Sequence, residues 1–186
     1  MKSGEEAVYL LIDRMNEVGI DYMIVGALSS NAYGIARATK DADFVIQTTE
    51  EKRHVLLRSL PPDFVIDDQV TFEPVTGHRR QLLKLPKIPY VIELFDLSNE
   101  RFDRERFSRR KATVLAGRPA WLPSPEDVVI QKLRWAGLGK RAQDLIDASN
   151  VIQVSGEFLD WTYIEAWCAE LGVTAKLAEA RAAAND

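Results

Sequence analysis

Two aspartates, Asp41 and Asp43, stand at alternate positions on the way into the apolar run Phe44-Val45-Ile46. Side chains alternate faces along a strand, so the two carboxylates share one face while Ala42 and Phe44 share the other. Their Cα atoms then stand roughly 6–7 Å apart. Two like charges at the edge of a core are costly unless something positive stands beside them. A divalent ion meets that need, and an all-oxygen pair selects a hard one, Mg2+ or Mn2+. The competing reading makes Asp41 a turn or capping residue and Asp43 a solvent-facing one.

The segments around the pair place it in a mixed architecture. Ala7, Val8, Leu11, Met15 and Val18 recur at helical spacing before Gly19. Tyr22 to Val25 reads as a short strand ending at Gly26, Ala27 to Tyr33 as a short helix closed by Gly34, and Ala42 to Ile46 as a second strand. Thr48 or Thr49 caps a helix that Pro61-Pro62 ends. Phe64 to Ile66 is a third strand, and Asp67 to Arg80 a polar loop. Gln81 to Leu85 and Tyr90 to Leu97 are strands, Ser98 or Asn99 caps a short helix, and Lys111 to Leu122 forms a hairpin. From Ser124 the pattern turns helical, opened by a capping residue, a proline and two acids. This order predicts an α+β (α/β) fold: a small mixed sheet with flanking helices over residues 1–122, and a C-terminal helical part over 123–186 packed on it.

Composition narrows the setting. The 186 residues are 46% hydrophobic and 28% charged, which suits an ordinary folded chain. A net charge of −4 carries no sign of a polyanion groove. The one cysteine, Cys168, excludes an intramolecular disulfide and reads as a small core residue, in agreement with a reducing compartment. No apolar run approaches the ~20 residues that cross a bilayer. The acids before the first apolar stretch describe a helix and not a signal peptide. The expectation is a cytoplasmic protein with no membrane partner.

The surroundings of the pair strengthen the metal reading. Gly26 ends the preceding strand, where a backbone can approach a ligand closely, and Ser29 and Ser30 lie in the first turn of the next helix. A glycine turn, a helix N-terminus and nearby hydroxyls make a phosphate cradle. A phosphate cradle beside metal carboxylates is what phosphoryl chemistry on a nucleoside triphosphate needs. The run Val91-Ile92-Glu93-Leu94-Phe95-Asp96 supplies a third acid. Glu93 and Asp96 fall on opposite faces, so one of them joins the pair. Glu93, mid-strand between apolar neighbours, is the choice; Asp96 is the alternative.

The segment from Val25 to Val45, with its glycine turn, its Arg37-Ala38-Thr39-Lys40-Asp41-Ala42-Asp43 stretch and its apolar flank, resembles the signature of the DNA polymerase β-like nucleotidyltransferase superfamily. The Arg-x-Thr-x-Asp-x-Asp form is most similar to the AbiEii-type toxins and related minimal nucleotidyltransferases. Lys132 followed by Arg141, Asp144 and Asp147 is similar to that branch's helical lysine and Arg-x-x-Asp-x-x-Asp pattern. The resemblance covers roughly residues 20–150. It implies a Mg2+-dependent transfer of a nucleoside monophosphate from an NTP (ATP among them) to an acceptor hydroxyl, with tRNA or another RNA as acceptor and an antitoxin protein as partner. It implies that Asp41, Asp43 and Glu93 are the catalytic, metal-binding acids. Gly26, Ser29, Ser30, Arg37, Lys132 and Asp144 would hold the nucleotide. Ala27 stands where the pattern prefers Gly or Ser, and Glu93 where Asp is usual. These two residues favour the second reading, a nucleotide-binding or regulatory module that keeps the fold without turnover.

Arg37 otherwise reads as a surface ion pair, and Lys132 as a snorkelling helix residue. Asp144 and Asp147 otherwise pair with Lys140 or Arg141. His54 and His78 have no metal-ligand spacing. The basic stretch Arg101 to Lys111 reads as a solvated helix face, with an RNA backbone as the competing partner.

Overall fold

The structure, a computed structural model, describes residues 1–67, 71–73, 77–139 and 141–185. It is α+β, with a mixed sheet flanked by helices, and the chain forms two compact units. The first comprises residues 1–25 and 39–122, the second residues 26–38 and 123–186. Residues 26–38, grouped with the sheet on the basis of the sequence, belong to the helical unit.

In the first unit, α1 (Gly4–Val18) is capped by Ser3, whose hydroxyl accepts from Glu6 N at 3.2 Å, and ends at Gly19 with φ 70°. That left-handed conformation suits glycine. The six-stranded sheet runs β1 (Asp21–Val25), β2 (Asp41–Gln47), β6 (Tyr90–Asp96), β5 (Arg79–Leu85), β3 (Val65–Ile66), and β4 (Thr71–Phe72) also pairs with β5. The β2–β6 pairing is parallel and the others are antiparallel. On one face lie Tyr22, Ile24, Phe44, Ile46, Ile92, Leu94 and Leu83, all fully buried. Burying each such side chain stabilises by about 1.5–3 kcal/mol. Asn16 of α1 and the Tyr22 hydroxyl both donate to Pro119 O, at 2.9 and 3.2 Å, and Arg53 of α3 (Glu50–Ser59) pairs with Asp96, so both helices serve this face. On the other face Met23 and Val45 meet Phe107 of α4 (Arg101–Ser108), with Val25, Phe95, Leu97 and Trp121 packed alongside. Trp121 comes from the hairpin β7 (Lys111–Leu115), β8 (Arg118–Leu122). Its two-residue turn, Ala116-Gly117, has φ 49° and 79°, the primed geometry that matches strand twist.

The loop expected over Asp67 to Arg80 is shorter than its polarity suggests. Thr71–Phe72 pairs with Arg79 and Arg80, which already belong to β5. Arginines tolerate a ladder position when their heads reach acids, and here they reach Asp96 and Glu93. The rest of that segment, 68–70 and 74–76, lies outside the described residues. Ser98 supports the start of α4 by accepting from Glu100 N at 3.2 Å, whereas Glu100 itself occupies the capping position.

In the second unit, Ser124 caps α5 (Pro125–Leu138) by accepting from Asp127 N at 3.3 Å, with proline at the helix start. Helix α5 runs through Gly137 and ends at Gly139. α6 (Ala142–Ser155), α7 (Trp161–Glu170) and α8 (Thr174–Ala184) follow; α5 packs on α6 and α7, and α8 on α6. α2 (Gly26–Tyr33) packs on α5 and α6. Tyr33 fixes it, donating to Pro123 O at 2.9 Å while its own carbonyl accepts from Ser155 Oγ at 2.7 Å. Cys168 is fully buried, and burial pushes its thiol up to about 11, so it is a packing residue. No helix among the described residues is long and apolar enough to cross a membrane.

After α2 the chain passes hard against α6: a Cβ on Gly34 would stand 2.8 Å from Val151 N and 2.9 Å from Asn150 C. Backbone atoms cannot yield as a side-chain tip does. Gly34→Ala is therefore expected to destabilise the protein by about 1–3 kcal/mol, read as a lower midpoint in urea unfolding.

Candidate functional site

The sheet unit holds the three acids. Asp41 opens β2, Asp43 follows two residues on, and β6 runs parallel beside them with Glu93 directly opposite Asp43. Partners in a parallel ladder share a face and stand about 4.8 Å apart. One row across the sheet therefore reads Val25, Asp43, Glu93, Leu82, and the row before it carries Asp41 and Val91. Asp96 is the partner of Ile46 on the opposite face, where Arg53 pairs with it and Arg79 stands 3.3 Å away. Register and alternation thus bring Glu93 to the aspartate pair and keep Asp96 from it.

Asp41 and Glu93 each have a defined neighbour. Asp41 accepts from the Thr39 hydroxyl, and its carbonyl accepts from Tyr90 Oη at 2.8 Å. The Tyr90 ring lies where a Cβ on Gly4 would intrude at 2.4 Å, so glycine at the start of α1 is what admits it. Burial, with Asp41, Asp43 and Glu5 nearby, pushes the Tyr90 phenol up to about 12. It is a neutral donor at physiological pH. Glu93 accepts from Arg80 Nη1 at 2.7 Å, and Arg80 Nε donates to Thr71 Oγ1 at 3.3 Å. The three carboxylates offer oxygen donors alone, a set that fits Mg2+ or Mn2+.

The helical unit holds the remaining candidates. Gly26 has φ 64°, which lets the chain turn straight from strand into α2 and suits glycine. Ser29 and Ser30 are buried. The Ser29 hydroxyl donates to Gly26 O at 2.9 Å, and that of Ser30 to Ala27 O at 3.0 Å. Both hydroxyls therefore serve their own helix. Arg37 grips Asp147 with two nitrogens, at 2.8 and 2.9 Å. Lys132 Nζ lies between Asp144 Oδ1 at 2.9 Å and Asp147 Oδ2 at 2.7 Å, and Gln143 donates to Asp147 at 2.9 Å. Lys132, Asp144 and Asp147 are all buried. Burial alone would raise the Asp147 carboxyl, but the bonds from Arg37, Lys132 and Gln143 outweigh it and hold the group well below the usual carboxylate range. Lys140, an expected partner of these acids, lies outside the described residues.

Two features escaped the sequence. His78, which has no local ligand spacing, lies 3.5 Å from Asp103 and 3.8 Å from Glu100, and the three offer ligand atoms within 4.8 Å of one another. Arg106 and Ser98 also hold Asp103. The basic stretch is largely engaged internally. Arg104 donates to Asn99 and Arg106 to Asp103, while Arg110 donates to Asp21 and lies over the Phe107 and Trp121 rings.

No family model matches the sequence, and no curated protein does. Solved structures do resemble it. An antigenic nucleotidyltransferase-like protein from Paracoccidioides brasiliensis aligns with TM-score 0.60 at 24% identity, covering 94% of this chain and 90% of that one. ANT(2'')-Ia, solved with adenylyl-2''-tobramycin, aligns with TM-score 0.57 at 12% identity over 90% and 95%. The lincosamide antibiotic adenylyltransferase LnuA, solved with lincomycin, aligns with TM-score 0.53 at 16% identity over 80% and 96%. At these identities the likeness establishes the fold, which is nucleotidyltransferase-like.

The bonds on Asp147 make it a pH-dependent anchor. A depressed folded-state pKa contributes stability that is present above the unfolded value, about 3.9, and is lost as pH falls through the folded one. Asp147→Asn is expected to cost about 3 kcal/mol at pH 7, because it leaves buried cations short of a partner, and that cost should shrink below about pH 4. Urea midpoints of both proteins across pH check this.

Proposed function

We propose that this protein is a Mg2+- or Mn2+-dependent nucleotidyltransferase that moves a nucleoside monophosphate from an NTP to an acceptor hydroxyl. The observation that carries the reading is the β2–β6 register, which sets Glu93 beside Asp43 with Asp41 on the same face. The nucleotidyltransferase-like fold and the motif resemblance support it. Asp41 and Asp43 would hold the metal, with Glu93 completing the set and accepting the acceptor hydroxyl's proton. The acceptor oxygen attacks the α-phosphorus, the bond to the β-phosphate oxygen breaks, and pyrophosphate leaves. A divalent ion there would neutralise charge on the transferring phosphoryl group. Tyr90 pins the start of β2 and so fixes where Asp41 points.

For the nucleotide, Gly26 would let the first turn of α2 present backbone N–H groups to phosphate. Because the hydroxyls of Ser29 and Ser30 bond their own helix, their contribution would come through the turn they stabilise. Arg37, Lys132 and Asp144, nucleotide contacts by resemblance, would act from the ion cluster around Asp147. The tRNA acceptor, the toxin role and the antitoxin partner follow from the AbiEii-type motifs. The adenylylated or bound antibiotics of ANT(2'')-Ia and LnuA make a small polar hydroxyl compound the other acceptor class. The second reading, a nucleotide-binding or regulatory module without turnover, draws on the Arg80–Glu93 pair, which already occupies the third acid.

The test is label transfer. Full-length protein is incubated with Mg2+ and each labelled NTP, with tRNA in one arm and aminoglycosides and lincosamides in the other. Transfer should appear in one arm and fall by at least about a hundredfold in Asp43→Ala, since the pair acts on the reacting phosphoryl group. Transfer that survives Asp43→Ala would sink the metal reading. Mg2+-dependent nucleotide binding without transfer in either arm would favour the module.

A further inference from the structure

The proposed metal face carries a positive charge of its own. Arg80 lies on β5 one row beyond Glu93, with Phe95 as its ladder partner. Its guanidinium reaches diagonally to Glu93 Oε2 at 2.7 Å, while its Nε donates to the Thr71 hydroxyl on the neighbouring strand at 3.3 Å. Diagonal neighbours in a ladder are within reach of long side chains, and the length of glutamate helps close the gap. Three carboxylates on this face would repel one another, and Arg80 offsets the most crowded of them, Glu93 abreast of Asp43. The pair is about one-fifth exposed on both sides, at 22% and 21%. An ion pair that water reaches is worth little to stability and is readily exchanged.

Resting on the reading of Asp41, Asp43 and Glu93 as metal ligands, we infer that Arg80 is the built-in counter-ion of Glu93, which the glutamate gives up in exchange for the divalent cation. Arg80 thereby sets how tightly the site takes metal. With Arg80 on Glu93, the charge of that carboxylate is already met; with Arg80 displaced, it faces the cation. A second cation on the same face serves as the comparison. Lys84 lies in the row of Asp41 and Val91, but its ammonium bonds Asp67 at 2.9 Å instead of a candidate ligand. Bulk charge would make Lys84 and Arg80 equivalent, whereas direct competition for Glu93 makes them different.

The experiment measures Mn2+ binding to the full chain without nucleotide, from the electron paramagnetic resonance signal of the free ion. Arg80→Gln should tighten binding about three- to tenfold, the worth of one partly exposed charged pair. Lys84→Gln should change it by less than about twofold. In a Glu93→Gln background, Arg80→Gln should add nothing, because the competitor then has nothing to compete for. An Arg80→Gln protein that binds Mn2+ no more tightly than the parent overturns the inference, and so does a Lys84→Gln gain of equal size. Should Arg80→Gln fail to fold in a thermal melt, Arg80→Lys decides the matter. It keeps the charge but loses the fork that spans Thr71 and Glu93, so tightening of about twofold supports the exchange and none refutes it. Asp43→Ala separates the two levels. If it leaves Mn2+ binding intact, the metal site itself is wrong; if it abolishes binding while Arg80→Gln does nothing, only the counter-ion role is wrong.

Discussion

The parallel pairing of β2 with β6 places two carboxylates abreast, an arrangement that electrostatics alone would separate. What holds it is the other face of the same strands. Ala42, Phe44 and Ile46 stack in register with Ile92 and Leu94, and all are fully buried. A one-residue slip would turn that apolar set outward and the acids inward, at a cost of several kcal/mol, far above the repulsion between two partly hydrated charges. The core on one side of the sheet thus fixes the spacing of the acids on the other. The geometry of the candidate site is a by-product of burial elsewhere.

The same alternation sorts the charges. Arg79 and Arg80 are consecutive on β5, so their heads go to opposite faces, Arg79 to Asp96 and Arg80 to Glu93. Each face receives one acid from β6 and a cation to meet it. Asp96 is met twice, since Arg53 reaches it from α3 as well. Its charge is absorbed into the packing of α3 on the sheet. Among the described residues, one partly hydrated arginine meets Glu93, which stands next to Asp43. That asymmetry is the physical reason to read Asp96 as structural and Glu93 as the candidate ligand.

Much of this was legible in the sequence because it follows from period-two alternation. The shared face of Asp41 and Asp43, and the opposition of Glu93 and Asp96, need no tertiary information. The α+β architecture, the Ser124-Pro125 helix start and the Gly19 stop were equally readable, because caps and breakers act locally. Whatever depended on long-range contact was not. Arg80 sat in what read as a loop, since its two-residue partner strand Thr71–Phe72 carries no pattern of its own. The grip of Arg37 on Asp147 spans 110 positions, and the approach of His78 to Glu100 and Asp103 crosses from the residue before β5 to the start of α4. Residues 26–38, read as a short helix closed by Gly34, were grouped with the sheet because they stand between two of its strands. Their small-residue helix packs instead on α5 and α6, through contacts that no local signal announces.

The two ion clusters also differ in what they permit. Arg80 can leave Glu93 at little cost, because water reaches both partners. Lys132 is bound differently. It is buried between Asp144 and Asp147, and removing one member of a buried pair leaves a charge that nothing screens. Asp147 would survive the loss, since Arg37 and Gln143 also hold it. Asp144 would not. Its second oxygen is already buried with no hydrogen-bond partner among the described residues, and Lys132 holds the first. Any role for Lys132 toward phosphate therefore has to keep its bond to Asp144, which makes lysine and aspartate one unit. The lysine's charge is spent on folding, and what it offers a ligand is an N–H in a direction that Asp144 sets.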